Sequence, residues 1–481
     1  MDIVSINMEL SNDILRLEKF IEDKKYDEGM MFFKEVYFQY SSVLGKGYIG
    51  TIELLYMYGQ ILLLQKEYKQ CIEVMKDLYD LVEDNLNDRH PYIQEGLDML
   101  AKCYREMHEY DNALQCDQQN YVMNRQLLGD NHEKTLQSQY AIYQDLMGLD
   151  EFDRAFEYLL HLYEQTNQVL DSKHILRLKI IKSMGDMYSD CLEHEEAVKY
   201  RQAALEMTQQ IYGQKSQETL HALIAFIHDY QECGYASHVS ELLITSYELS
   251  IEVYGQNHFY TLQVLEELAD CYESEHEFLK ALECYQLCYK IAIVNHCEIK
   301  KQCYYLDNIG LTYSFLHQHE KALEYFLKSY ELIKKDSKAT IDDYLYDLKM
   351  IIEEYRCLKD YKNLITVYNE YYLYCHMVFG SQNPITLEAL YDLGYCHYLI
   401  EDYHQAYLLF EQCYKTASTL SDKDFDLLKI LYMLALTCQH LDIQKSSQLF
   451  EKYLMLAQES NASFDEIHRI KTEIESLKNK H

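Results

Sequence analysis

Small and apolar residues recur along this chain at one nearly constant step. Advancing by 42 residues, or by 41 where single residues drop out after about residue 290, lands on a regular series: Gly29, Cys71, Ala113, Ala155, Ala197, Val239, Ala281, Ala322, Leu364, Ala406 and Ser447. Short polar segments precede them, such as Glu109-Tyr110-Asp111-Asn112, Glu151-Phe152-Asp153-Arg154 and Asp402-Tyr403-His404-Gln405. Nine residues upstream stands a frequent tyrosine: Tyr104, Tyr188, Tyr230, Tyr272, Tyr313 and Tyr355. Each period therefore predicts a helix A, a tight turn, and a helix B opening near the small residue. A small side chain is needed where two antiparallel helices cross closely, because a large one would wedge them apart. The tyrosine buries its ring beside that crossing and keeps its hydroxyl at the edge.

A second register carries the same period. Gly45, Gly129, Gly213 and Gly255 mark it, as do His90, His132, His174 and His258, and Thr51, Thr135, Thr219 and Thr261. The two prolines, Pro91 and Pro384, fit it to within one residue. Because the histidines recur with the loop, they are expected to do a structural job, a hydrogen bond at a helix start. At the far end, Phe464, Ile467, Ile470, Ile474 and Leu477 follow at helical spacing and predict one amphipathic helix over the last repeat. Ile14, Leu17, Phe20 and Ile21 form a first, degenerate helix A. No strand is predicted, and no stretch is left over for a catalytic or DNA-reading domain. The expected organisation is a repeat array over residues 1–461 with a capping helix over 462–481.

The spacing of Gly310, Tyr313, Ala322 and Phe326 resembles the tetratricopeptide repeat. The 42-residue length and the lead-in Leu/Tyr-Gly-x-x-His/Asn-x-x-Thr-Leu are similar to the longer variety found in kinesin light chains and many bacterial repeat proteins. The resemblance covers about eleven units from residue 8 to 461. It implies an all-α, right-handed solenoid of antiparallel helix pairs whose helix A residues line a concave groove. The chain departs from the family pattern in three ways. Tryptophan is absent, Ile227 stands where Gly or Ala is usual, and Asp117 and Arg201 replace a large apolar residue in helix B, which makes those repeats candidate bends. Relatives that clamp a peptide carboxylate or read a peptide backbone use asparagines along helix A. Here those positions are mostly Gln60, Gln144, Asp186, Asp270, Glu353 and Tyr395, with a lone Asn308, which weighs against chaperone-tail recognition and peptide-pheromone sensing.

Composition narrows the functional classes. Two prolines in 481 residues leave few marked turns, and a helical chain tolerates that best. A hydrophobic fraction of 48% excludes intrinsic disorder. With 79 acidic and 44 basic side chains the net charge is −35, which repels nucleic acid and anionic membranes at long range. No signal sequence or membrane span is legible, and 15 cysteines without a C-x-x-C pair make neither a disulfide nor a zinc framework. Cys284 and Cys288, at i and i+4, are expected to be packing cysteines like the rest. A cytoplasmic, reducing location is expected, and there the sequon at Asn461 means little.

Catalytic constellations do not assemble. His194-Glu195-Glu196 and His319-Glu320 lack the second histidine of a zinc-protease helix. Cys396-His397 with His404 reads as packing and turn residues, with His397 in the tyrosine position. No enzyme, cofactor or metal is expected. The groove is the candidate site. Its later part carries Tyr304, Phe315, Tyr346, Tyr391, Tyr395, Tyr398 and Tyr432, which either anchor a partner or pack between repeats. Its earlier part carries a basic island of Lys102, Arg105, Lys179 and Lys182, which either grips a carboxylate or phosphate or bridges to Asp98 and Asp186. The expected function is a non-catalytic scaffold or adaptor binding another protein or peptide, basic or apolar in character. The alternative is a signalling receptor whose solenoid senses a small peptide or ligand and regulates a partner.

Overall fold

The structure, a computed structural model, describes residues 3–86, 90–234, 238–419, 427–459 and 464–478. All elements among them are helices apart from one short 3₁₀ turn, and no strand occurs. The chain divides into two compact units, residues 1–236 and 237–481.

The first unit begins with α1 (Ile3–Glu22), α2 (Tyr26–Leu44), α3 (Ile49–Leu64) and α4 (Tyr68–Asn85). It continues with α5 (Pro91–Glu106), α6 (Tyr110–Leu128), α7 (Glu133–Gly148) and α8 (Phe152–Val169), then α9 (Ile175–Asp190), α10 (His194–Tyr212) and α11 (Gln217–Glu232). The second unit runs through α12 (Val239–Tyr254), α13 (Phe259–Ser274), α14 (Phe278–Val294) and α15 (Ile299–Phe315). Next come α16 (His319–Ile333), α17 (Ile341–Leu358), α18 (Tyr361–Phe379) and α19 (Pro384–Leu399). It closes with α20 (Tyr403–Ala417), α21 (Leu427–Gln439), α22 (Ile443–Glu459) and α23 (Phe464–Lys478). Odd-numbered helices up to α21 are A helices and even-numbered ones are B helices. Within each unit a helix packs chiefly on its sequence neighbours. The chain is a helical repeat protein with the architecture of an α-solenoid.

The loop register explains why helices begin where they do. Pro91 and Pro384 each occupy the first turn, where a missing N–H costs nothing. The Nδ1 atoms of His90, His132, His174 and His258 accept the backbone N–H two residues on, at 3.2–3.3 Å. These histidines are N-caps, and Ser216 and Asn383 take the same part. Gly129, Gly213 and Gly255 end the preceding B helices at φ near +90°, a backbone region that L side chains avoid. Thr135, Thr219 and Thr261 then donate their hydroxyls back to those glycine carbonyls at 2.7–2.9 Å. One Gly–His–Thr loop therefore closes a B helix and opens the next A helix.

The A-to-B turns use a device the sequence does not advertise. Lys24, Lys66, His108, Asp150, Leu192, His276, His317, Lys359 and Glu401 all have φ between +56° and +64°, one in each of nine such turns, and Gly234 takes the same place before α12. At His108 the chain makes paired bonds, His108 N–H to the Arg105 carbonyl (3.0 Å) and Glu109 N–H to the Tyr104 carbonyl (2.8 Å). This is a Schellman closure built on a non-glycine residue.

Packing follows the two registers. The small positions from Cys71 to Ala406 are buried, and in helix B the large buried partner recurs as Met75, Leu159, Leu243, Tyr285, Phe326, Tyr368 and Phe410. In the last repeat the buried residue is Ser446 rather than Ser447, and its hydroxyl donates to the Ala435 carbonyl at 2.8 Å. The step there is 40, because one more residue has been lost. Asp117 and Arg201 fall in the large-residue column, yet α6 and α10 run unbroken through them. Arg105 bonds both Asp117 and Asp145, and Arg201 lies between Asp186 and Asp229 at 2.8 Å from each. Ion pairing thus replaces the apolar contact, and neither position marks a helix break. At the end of the second unit Ile470 and Ile474 of α23 are buried with Leu431, Phe450 and Tyr453. The side chains of Phe464 and Leu477, and the sequon at Asn461, lie outside the described residues.

Candidate binding cavities along the A helices

Successive A helices of the second unit leave two openings between them. The first, about 530 Å³, lies between α15 and α17 beneath the end of α16. Its walls include Tyr304, Tyr346, Ile333 and Cys303, so much of its surface is apolar. Tyr304 and Tyr346, 38% and 45% exposed, face it as aromatic walls. Burial and the nearby Asp270 push the Tyr304 phenol up to about 12, so it stays neutral.

Two carboxyl groups in this cavity are unusual. Asp307 is nearly buried and Asp347 fully so. Asp307 Oδ1 and both oxygens of Asp347 have no hydrogen-bond partner among the described residues. Burial, reinforced by the charge of Asp347, pushes Asp307 up to about 8. Burial, with Asp343 adding to it and the Ser329 hydroxyl opposing it, pushes Asp347 up to about 7. The two lysines of the lining pair with other carboxylates of the same lining, Lys300 with Asp343 at 3.3 Å and Lys338 with Glu298 at 3.5 Å. Sequence reasoning missed both aspartates, although a signal was present. The signal is at Asp347, the one charge in the column Leu54, Gly96, Ser138, Ile180, Ala222, Val264, Tyr305, Ala389, whereas Asp307 stands in a column that already carries Asp98, Lys182, Glu266 and Lys349.

The second opening, about 470 Å³, is lined by Arg356 of α17, Tyr368 of α18, Tyr391, Asp392 and Tyr395 of α19, and Lys429 of α21. Arg356 binds Asp392 at 2.5 Å and Glu353 at 3.0 Å and also contacts the Tyr368 hydroxyl. Tyr395 is 40% exposed. Tyr391 is not available in the same way: it is buried against Phe410, with Lys429 Nζ 4.3 Å over its ring.

The other expected residues are dispersed. Phe315 stacks on Phe278 at 5.1 Å with one face in solvent. Tyr398 packs edge-on to Tyr403 and His440, and Tyr432 packs among Phe450, Tyr453 and the Arg469 guanidinium. These two belong to the inter-repeat packing. In the first unit Lys102 bridges Asp98 at 2.6 Å, and Arg105 is committed to its two buried carboxylates, so Arg105 is internal structure rather than a free cation. Lys179 is exposed and Lys182 half-buried, with burial pulling the latter's pKa down against Glu218 and Asp186. Two of the four cations of the basic island are therefore paired within the unit.

All the cysteines are free thiols, nine of them buried, with Cys191 and Cys357 exposed. Burial pushes the Cys396 thiol up to about 12, and the neighbouring His397 turns to Asp402 at 3.2 Å instead. His194 and His319 bond Asp229 (3.1 Å) and Glu354 (2.7 Å) of the next A helix. Among the described residues no group of three or more His, Cys, Asp or Glu could hold a metal ion. No described helix is long and apolar enough to cross a membrane.

No family model matches the chain. The transcriptional activator NprA of Geobacillus stearothermophilus is 31% identical over 125 residues, which is 22% of this chain and 30% of that protein. The chain thus spans under a third of the length of that curated relative. Among solved structures, the apo form of RapI matches 78% of this chain and 99% of its own, at 11% identity and a TM-score of 0.47. TPR-like repeats of a Podosopora anserina kinesin light chain match 43% of this chain and 98% of theirs, at 20% identity and a TM-score of 0.39.

Proposed function

We propose that this chain is a non-catalytic interaction protein that binds a partner protein or peptide segment along the A helices of its second unit. The observation that carries this reading is the 530 Å³ opening between α15 and α17, walled by two half-exposed tyrosines and floored by unpartnered carboxyl groups. Openings of this size with apolar walls and a few convergent polar groups are what side chains of a ligand fill. Tyr304, Tyr346 and Tyr395 are the anchors, and truncating such anchors costs on the order of 2 kcal/mol each in partner affinity. Phe315, Lys102 and Lys179 remain accessible for secondary contacts. Tyr391, Tyr398, Tyr432 and Arg105 act by holding the repeats, and Lys182 serves the first unit's own electrostatics.

A regulatory version of the same reading draws support from the stretch shared with a transcriptional activator. In that version, occupation of the opening changes how the chain acts on a second partner.

The test is site-specific photocrosslinking. A benzoyl-phenylalanine placed at Tyr346 or Tyr395 should capture a discrete partner from lysate of the cells that make the protein. The same probe at Leu408, exposed on a B helix, should not. Equal capture from both faces would sink the proposal.

A further inference from the structure

We propose that the opening between α15 and α17 takes a basic side chain of the bound partner, a lysine ammonium or arginine guanidinium, seated between Tyr304 and Tyr346 and held by Asp307 and Asp347. This rests on the partner-binding reading and specifies its chemistry. The argument starts from the unpaired oxygens. A fully buried carboxyl group without a donor is costly, and native interiors seldom leave one. Here three such oxygens belong to Asp307 and Asp347, two residues in the lining of one cavity. In the repeat register the column of Asp347 holds Leu54, Gly96, Ser138, Ile180, Ala222, Val264, Tyr305 and Ala389, none of them charged, so repeat packing alone does not call for a carboxyl group there.

Charge complementarity then selects the occupant. The lining contains six carboxyl groups, Glu298, Asp307, Asp336, Asp342, Asp343 and Asp347, against Lys300 and Lys338. Both lysines are themselves exposed and pair with Asp343 and Glu298, and neither has an ion pair with the two buried aspartates. A cation entering from outside would supply the missing donors and ionise both carboxyl groups, and charge-assisted bonds of this kind are the strong ones. The size and walls favour a side chain over a bare ion. The opening is far larger than a metal ion needs, and its aromatic and aliphatic walls suit the methylene stem of lysine or arginine, with the Tyr346 ring to attract the charge and Tyr304 already holding Lys301 Nζ 4.8 Å over its ring.

The test uses the full chain and a positional-scanning library of N-acetylated, C-amidated hexapeptides. One position at a time is fixed as arginine, lysine, citrulline or leucine, and binding is read by fluorescence anisotropy. Citrulline keeps the shape of arginine and removes its charge. The arginine or lysine sublibrary at one position should bind at least about tenfold more tightly than the citrulline one. Asp307→Asn and Asp347→Asn should each erase that preference. Equal binding of arginine and citrulline sublibraries by the unmodified chain overturns the inference yet leaves partner binding standing. So does a preference that survives in the double variant, or displacement of the arginine peptides by millimolar Ca²⁺ or Mg²⁺. Binding by no sublibrary, together with no partner captured at Tyr346, removes the partner-binding reading and this inference together.

Discussion

Asp307 and Asp347 hold their protons because their surroundings penalise charge, and this gives stability a definite pH dependence. Both carboxyl groups are raised, to about 8 and about 7, so the folded chain binds their protons more tightly than the unfolded chain does. Below about pH 4 both states are protonated and the effect vanishes. Between there and about pH 8 stability falls as pH rises, and it levels off once both groups ionise in the fold. Lys300, Lys338, Asp336, Asp342, Asp343 and Glu298 surround the same cavity, and each variant retains them. Asp347→Asn should therefore gain on the unmodified chain between pH 5 and pH 8, by on the order of 2 kcal/mol. Thermal midpoints by circular dichroism across that range check it, and a constant difference would refute the assignment. Asp229 has the opposite sign. Burial alone would raise it, but bonds from Arg201, Ser189 and His194 hold it below the usual range. Its contribution is present above about pH 4 and lost as pH falls through its lowered pKa. Arg201→Leu leaves that buried carboxylate without its main partner and should cost about 3 kcal/mol in denaturant unfolding. Adding Asp229→Met should restore most of the loss, because the other repeats fill the Arg201 column mostly with apolar residues and the Asp229 column includes Met187.

At the scale of the helix, two kinds of glycine and one kind of turn respond differently to the same substitution. A Cβ on Gly310 would lie 2.7 Å from the ring of Phe326, which is fully buried and cannot yield. Gly310→Ala should cost about 1–3 kcal/mol. On Gly96 the nearest atom is the Leu78 methyl at 3.4 Å, an ordinary contact, so Gly96→Ala should instead gain up to about 1 kcal/mol from helix propensity. Urea midpoints of the two variants should move in opposite directions. Leu192, exposed and left-handed at φ +60°, closes α9 where glycine would sit without strain. Leu192→Gly should stabilise the fold by about 1 kcal/mol and so raise the urea midpoint. The helix pairs, the crossing residues and the histidine loops were legible in the chain because each has a fixed spacing. The left-handed turns were not, because lysine, histidine, aspartate and glutamate carry no glycine signal. The extra lost residue before Ser446 was also invisible, since Ser447 is equally small.

For the whole molecule, stability in a repeat array is close to a sum over neighbouring repeats. Gly310→Ala should accordingly raise amide exchange in α15 and α16 while leaving α3 to α8 of the first unit unchanged. Loss of protection along the entire chain would contradict that picture. The net charge of −35 bears on kinetics rather than on fold. A cationic peptide should associate more slowly as salt rises from about 20 mM to about 500 mM, with dissociation much less affected. Salt-independent association would argue that the acidic field plays no part.

The sequence by itself determined the period, the all-helical architecture, the A-to-B crossings and the loops that join repeats. Those features depend on residues at fixed separations along one chain, so spacing alone reveals them. It also supplied the aromatic and basic residues from which a binding face was expected. Only the tertiary structure decided which of them remain available. Tyr391 and Arg105 satisfy packing and charge inside the repeats, whereas Tyr304, Tyr346 and Tyr395 stay half-exposed. The same holds for Asp307 and Asp347. An aspartate in an otherwise uncharged column, as at Asp347, is a visible irregularity, but whether it finds a partner depends on groups some 40 residues away, brought near by the stacking of helices. The physical reason is that burial and charge pairing are properties of the three-dimensional neighbourhood, and no spacing along the chain encodes them.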